Sequence, residues 1–174
     1  MAVLCLCAAA CTTVPSDPSD VPVAASAAAD RKARALAHFS QALADERAGR
    51  SAASQSNLLA AVALDPDDED LRLRTAMGLL QRKQFREAQD LLTDWCERAP
   101  DSEKGLLWLA LAYRAADDRE NALATYRRLM KVAPRSPLPY LESAAIQAAA
   151  DQDPAALDFL LQGAKKLEDP RDLL

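Results

Sequence analysis

Histidine occurs once in this chain, glycine four times, and aromatic residues fill only 5% of its 174 positions. A single histidine, His38, leaves no histidine-rich zinc set, and any Ser/His/Asp relay would have to use it. Four scattered glycines make no glycine-rich phosphate loop, and no nucleophile elbow is present. Positive charge is also short: Lys and Arg total 21 against 26 Asp and Glu, for a net charge of −5. An acidic chain lacks the cationic face that neutralises phosphates, so nucleic acid is excluded as a partner. No catalytic set, cofactor or metal site is expected. Val, Ile and Thr together number 12, whereas Ala numbers 38 and Leu 27. Ala and Leu lose little freedom in a helix, while the scarce β-branched and aromatic residues are those that favour strands. The composition is therefore all-α.

No apolar run is long enough to cross a bilayer as a helix, which takes about 20 residues. Residues 1–11, MAVLCLCAAAC, form a shorter apolar segment closing in small residues. Ala8-Ala9-Ala10-Cys11 resembles a bacterial lipobox, in which cleavage precedes a lipidated cysteine. No Lys or Arg precedes the run, and Ala8 stands where Leu is usual. The resemblance makes Cys11 the candidate lipidation site and the membrane a partner through that anchor. By resemblance to enterobacterial lipoprotein sorting, Thr12 rather than Asp in the following position favours the outer membrane of the cell envelope. The alternative is an apolar N-terminus on a cytoplasmic protein. Residues 12–34 are rich in Pro, Ser, Asp and Ala and read as a flexible tether.

From residue 35 the prolines keep a ruler. Pro66, Pro100 and Pro134 stand 34 residues apart. Ala42, Ala76, Ala110 and Ala144 recur in the same register, as do Ser54, Ala88, Ala122 and Ala156. Leu58, Leu92, Tyr126 and Leu160 form a large apolar column between them. Each copy reads as two helices joined by a short turn, at Ala48-Gly49-Arg50, Lys83-Gln84, Asp117-Asp118 and Asp151-Gln152-Asp153. The prolines stop each second helix, because proline cannot donate to the helical ladder and clashes with the preceding turn. Asp101 or Ser102, and Ser136, are candidate N-caps for the next leading helices.

The clearest copy is Leu106-x2-Leu109-Ala110-x2-Tyr113, then Ala122-x3-Tyr126, then Pro134. It resembles the tetratricopeptide repeat, whose period is 34 residues. The resemblance covers residues 35–168 as four repeats, 35–68, 69–102, 103–136 and 137–168, with 169–174 a tail or the start of a fifth leading helix. It implies a right-handed helical solenoid whose leading helices line a concave groove for protein or peptide segments. The second copy departs from the pattern with Arg72 and Thr75 in apolar columns, and the first with His38, Gln41 and Asp45.

Beside the core columns, each leading helix carries a second apolar step at i, i+4. These steps are Phe39 and Leu43, Leu73 and Met77, Leu107 and Leu111, and Leu141 and Ala145. In the family that face is the groove, and Trp108 and Arg114 stand at its edge with Arg74 and Lys104. The groove candidates are therefore Phe39, Leu43, Leu73, Met77, Leu107, Trp108, Leu111, Arg114 and Leu141; the alternative is that the ladder is core. No Lys, Arg or Asn occupies the ladder, which disfavours a clamp for C-terminal carboxylates. An apolar groove suits an amphipathic helix or an extended apolar peptide.

The remaining polar features read as structural. The acidic run 65–70 lacks an EF-hand's central Gly and distal Glu, and suits a helix N-terminus. His38 is solvated or capping, Cys96 a buried inert thiol, and Asp94 with Glu97 a solvated helix face. The expected function is a non-catalytic scaffold of an envelope complex. The rivals are a soluble cytoplasmic adaptor or secretion chaperone, and a repeat-bearing fragment of a larger enzyme.

Overall fold

The computed structural model describes residues 23–167, so the lipobox-like segment with Cys11, residues 12–22 of the tether and the tail lie outside the described residues. Within them lie eight α-helices and no strand: α1 Val23–Arg47, α2 Ser51–Leu64, α3 Glu69–Gln81, α4 Phe85–Arg98, α5 Glu103–Ala115, α6 Arg119–Val132, α7 Leu138–Ala148 and α8 Asp153–Leu167. They pair as α1/α2, α3/α4, α5/α6 and α7/α8, and each pair packs on the next. The architecture is a helical repeat solenoid.

Both ends of these helices are set by backbone chemistry that repeats with the sequence. The proline ring disfavours helical geometry at the residue before each periodic proline. Asp65, Ala99 and Ala133 accordingly leave the helix at nearly one conformation, φ/ψ −128/79, −124/73 and −126/69. Every leading helix ends instead on a left-handed residue. These are Gly49 (φ 72), Lys83 (φ 60), Asp117 (φ 59) and Asp151 (φ 56), again 34 apart. The next amide bonds back five residues each time, Arg50 N to Asp45 O (2.8 Å), Gln84 N to Leu79 O (2.9 Å), Asp118 N to Tyr113 O (2.9 Å) and Gln152 N to Gln147 O (3.0 Å). This is the Schellman turn, which satisfies the carbonyls a helix end would otherwise leave bare. Asp68 and Ser102 cap α3 and α5 by accepting from Leu71 N (2.9 Å) and Gly105 N (2.8 Å). Ser136 caps nothing: α7 starts after Pro137 without a side-chain cap.

Residues 23–34, expected to be tether, are helical. They carry no apolar period, but alanine is the best helix former, and extending a helix already held by residues 35–47 avoids the cost of nucleation.

The core is a row of small clusters. Ala76, Ala88, Ala110 and Ala122 are fully buried where helices meet, and Leu92, Leu106, Tyr126 and Leu129 fill the space between repeats. Each large side chain so buried contributes roughly 2 kcal/mol. Gly105 lets α5 approach α4, since a Cβ there would stand 2.7 Å from Trp95 Cδ1. The large apolar column does not hold at its end: Leu160 is 43% exposed, because no fifth leading helix covers it among the described residues.

Arg72 is buried in the core position where Leu106 and Tyr140 stand in later repeats. Its guanidinium donates to Pro66 O (2.7 Å), Leu91 O (3.1 Å) and Asp94 Oδ2 (2.7 Å), and lies 5.5 Å from the centre of the Trp95 ring. Asp94 is thus more than a solvated acid: hydrogen bonds from Arg98 and then Arg72 hold its carboxyl below the usual range. The acidic run is spent in the same way. Asp68 caps α3, Glu69 accepts from Trp95 Nε1 (3.2 Å) and from the Ser102 hydroxyl, and Asp70 pairs with Lys104 (3.2 Å). Thr75 turns its hydroxyl onto Leu71 O (2.8 Å). Cys96 is buried, and burial pushes its thiol up to about 11.

Candidate interaction groove on the leading helices

The leading helices do not pack uniformly. α3 lies directly against α5, whereas hollows open between the first repeat and α3. The larger, of about 540 Å³, is walled by α2 and α3 and reached by Glu46 of α1 and Trp108 of α5. A second, of about 440 Å³, lies between α1 and α3 and is lined by Ala35, Leu36, Phe39 and Leu71, with Lys32, Asp65, Asp68 and Asp70 around it. Arg74 borders both hollows. It reaches Glu46 across the gap (2.5 Å) and lies 5.8 Å from the centre of the Phe39 ring, so one cation ties the two walls together.

The nine groove candidates separate into four groups. Leu73, Met77 and Trp108 line the larger hollow, and Phe39 lines the smaller. Leu73 is only 6% exposed and belongs to the core cluster of Ala76, Leu106 and Leu109, so its outer edge alone meets the hollow. Leu107 packs half-buried against that cluster, and Leu43 and Leu111 are half-buried. Arg114 is exposed and paired with Glu142 (2.7 Å). Leu141 is 54% exposed on α7, in the column that α5 covers at Leu73. The ladder is therefore not one apolar strip. Its middle sinks into core because α5 lies on α3, and its last step is exposed because no following helix covers it among the described residues.

The hollow itself is amphipathic. Met77, Trp108 and Leu58 supply apolar wall, and Glu46, Asp70, Arg74 and Arg82 supply charge of both signs. Arg82 donates to Ser51 O (3.1 Å), and Gln55 reaches across to Thr75 O (3.2 Å), bracing α2 against α3. Sequence reasoning placed Arg74 at the edge and missed Glu46, Gln55 and Arg82. Gln55 shares its column with Gln89, whose amide reaches Ala112 O (3.4 Å) in the next leading helix, so a repeated bracing glutamine was the available signal.

The outer side of the first repeat is a closed polar network. Asp45 is buried and accepts from Arg50 Nη2 (2.7 Å), Gln41 Nε2 (3.1 Å) and Asn57 Nδ2 (3.0 Å), and Asn57 Oδ1 lies 3.0 Å from His38 Nδ1. The bond from Arg50 leads in holding the Asp45 carboxyl below its ordinary value. His38 is thus a network member rather than a freely solvated side chain.

Solved structures with a similar fold include MamA from Desulfovibrio magneticus RS-1 (17% identity, TM-score 0.64, covering 79% of this chain and 77% of that one). A second MamA crystal structure gives 14% identity and a TM-score of 0.67, covering 83% of this chain and 84% of that one. TTC0263, a thermophilic TPR protein of Thermus thermophilus, gives 20% identity and a TM-score of 0.56, covering 78% of this chain and 75% of that one. No family model and no curated protein sequence matches the chain. At these identities the likeness is one of fold, and the fold is the tetratricopeptide solenoid.

Proposed function

We propose that this chain is a non-catalytic scaffold that binds a segment of another protein in the hollow between α2, α3 and α5, and so supports assembly of a larger complex. The observation that carries the reading is the amphipathic wall itself. Met77 and Trp108 offer an apolar seat beside Glu46, Arg74 and Arg82. Aromatic and arginine side chains at the centre of a concave patch are the usual sources of binding energy. The fitting partner is a helix or extended segment with one large apolar side chain and flanking charges of both signs. The lipobox-like start adds the second element of the proposal: lipidation at Cys11 holds the scaffold at the cell envelope.

The two elements are tested separately. Site-specific crosslinking from position 81, on the hollow's rim, should trap a partner in membranes of the native host. Trp108→Ala with Met77→Asp should abolish the adduct without loss of helical circular dichroism. Loss of helicity would show these residues to be core, and an undiminished adduct would place binding elsewhere. Leu73→Asp is unsuited to the test, since Leu73 is core. For the anchor, Cys11→Ser should release the protein from the membrane fraction; retention would remove the lipoprotein element and leave the adaptor reading.

A further inference from the structure

The two ends of the solenoid are built differently. At the first end, the face of α1 that later leading helices turn to the preceding repeat carries exposed Ala37 and Gln41, backed by the satisfied Asp45 network. At the other end, the face that a next leading helix covers in earlier repeats is apolar and uncovered among the described residues. Leu157 is 56% exposed and Leu160 43%, whereas Leu58, Leu92 and Tyr126, in the column of Leu160, are buried. Leu157, Leu160, Leu161 and Ala164 fall at i, i+3, i+4 and i+7, so they form one stripe along α8. On α7, exposed Leu141 and Ala145 stand in the columns of Leu73 and Met77, at the same end of the array.

We propose that this end face docks a second copy of the chain, α8 against α8 in antiparallel fashion about a two-fold axis beside Leu161. Charge selects this occupant. Asp158 and Lys165 are exposed, seven residues apart, and border the stripe on the same side. In an antiparallel pair of helices, like flanks face each other. Asp158 then meets the partner's Lys165, and Lys165 meets the partner's Asp158, two opposite-charge pairs from one symmetry operation. Head-to-tail stacking is disfavoured, because it sets the leucine stripe against Gln41 and the Asp45 network. The proposal is independent of the groove, which lies on the first two repeats and α5.

Sedimentation equilibrium of the full chain under reducing conditions tests it. The wild type is expected to be dimeric at micromolar concentration. Leu161→Glu, at a position already 60% exposed, should be monomeric with unchanged circular dichroism, its dissociation constant raised at least ~100-fold by burying an unpaired charge. Asp158→Lys should weaken association roughly tenfold, through two lost pairs and two like-charge contacts. Asp158→Lys combined with Lys165→Asp should restore it, which a merely sticky patch would not do. A wild type monomeric up to about 100 μM overturns the proposal, as that corresponds to less than ~6 kcal/mol of association. Protection of α8 amides from exchange in such a monomer would assign the face to residues outside the described range. Unprotected amides would show that no segment of the chain covers it. A dimer that survives Leu161→Glu, or a charge swap that fails to restore association, also overturns it.

Discussion

The buried guanidinium of Arg72 makes the sharpest stability prediction. Its side chain is 2% exposed, yet Asp94, which balances its charge, is half in water. Removing Asp94 leaves the cation in place with only the carbonyls of Pro66 and Leu91 as acceptors. A fully buried pair broken this way costs about 3–5 kcal/mol. Here water can approach where Asp94 stood, so the charged-hydrogen-bond range of ~1.5–3 kcal/mol applies, and Asp94→Ala should lose about 2 kcal/mol. Loss of the exposed Arg98 pair adds only about 0.3–0.5 kcal/mol. The double variant Arg72→Leu/Asp94→Ala should recover most of this, to within about 1 kcal/mol of wild type, because it removes the stranded charge and installs the side chain found at Leu106. A double variant more stable than one of its singles is the signature. Urea unfolding should be followed by far-ultraviolet circular dichroism and by Trp95 fluorescence in a Trp108→Phe background, since repeat arrays can unfold in steps. A change below about 0.5 kcal/mol in Asp94→Ala would refute the reasoning.

The same pair has an acid limb. The folded Asp94 carboxyl is held below its ordinary value of 3.8, so the unfolded chain binds the proton more tightly. Its stabilising contribution is complete above that value and is lost as pH falls through the lower folded value. Asp94→Asn should therefore flatten part of the acid loss of stability below about pH 4 while leaving the neutral slope unchanged.

Three further outcomes follow from the backbone. Lys83 holds a left-handed conformation (φ 60) that costs a non-glycine residue about 1–2 kcal/mol, so Lys83→Gly should raise the urea midpoint by the equivalent of about 0.5–1 kcal/mol after the entropy of the added glycine, and Gly49→Ala should lower it by about 1 kcal/mol. Ser102→Ala should cost about 1 kcal/mol through the lost cap on Gly105, whereas Ser136→Ala should be neutral in the same assay, since α7 has no side-chain cap. Gly105→Ala should cost about 1–3 kcal/mol and shift the Trp95 emission, because the new methyl carbon meets the indole at 2.7 Å, and unchanged emission would mean that α4 and α5 adjust freely.

What was legible in the chain was whatever repeats. The proline beat, the alanine columns and the helix count express one supersecondary unit copied four times, and the alanine columns report a contact within each copy. Features depending on one copy's neighbours were not legible. Arg72 looked like a fault in an apolar column because its acceptors, Pro66 O, Leu91 O and Asp94, come from the preceding turn and the trailing helix. Leu73 and Leu141 share a column and were read as equals, yet a following helix buries the first, and none among the described residues covers the second. Helix α1 hid its extension because alanine propensity leaves no apolar period to detect. The groove followed the same logic: its expected strip assumed four equivalent steps, whereas the hollows lie between the first repeat and α3, where the Arg74–Glu46 pair bridges the gap. A repeat therefore encodes its own contacts, and both proposed binding surfaces stand where the repetition fails. Here that means the hollow at the first junction and the bare leucines at the last.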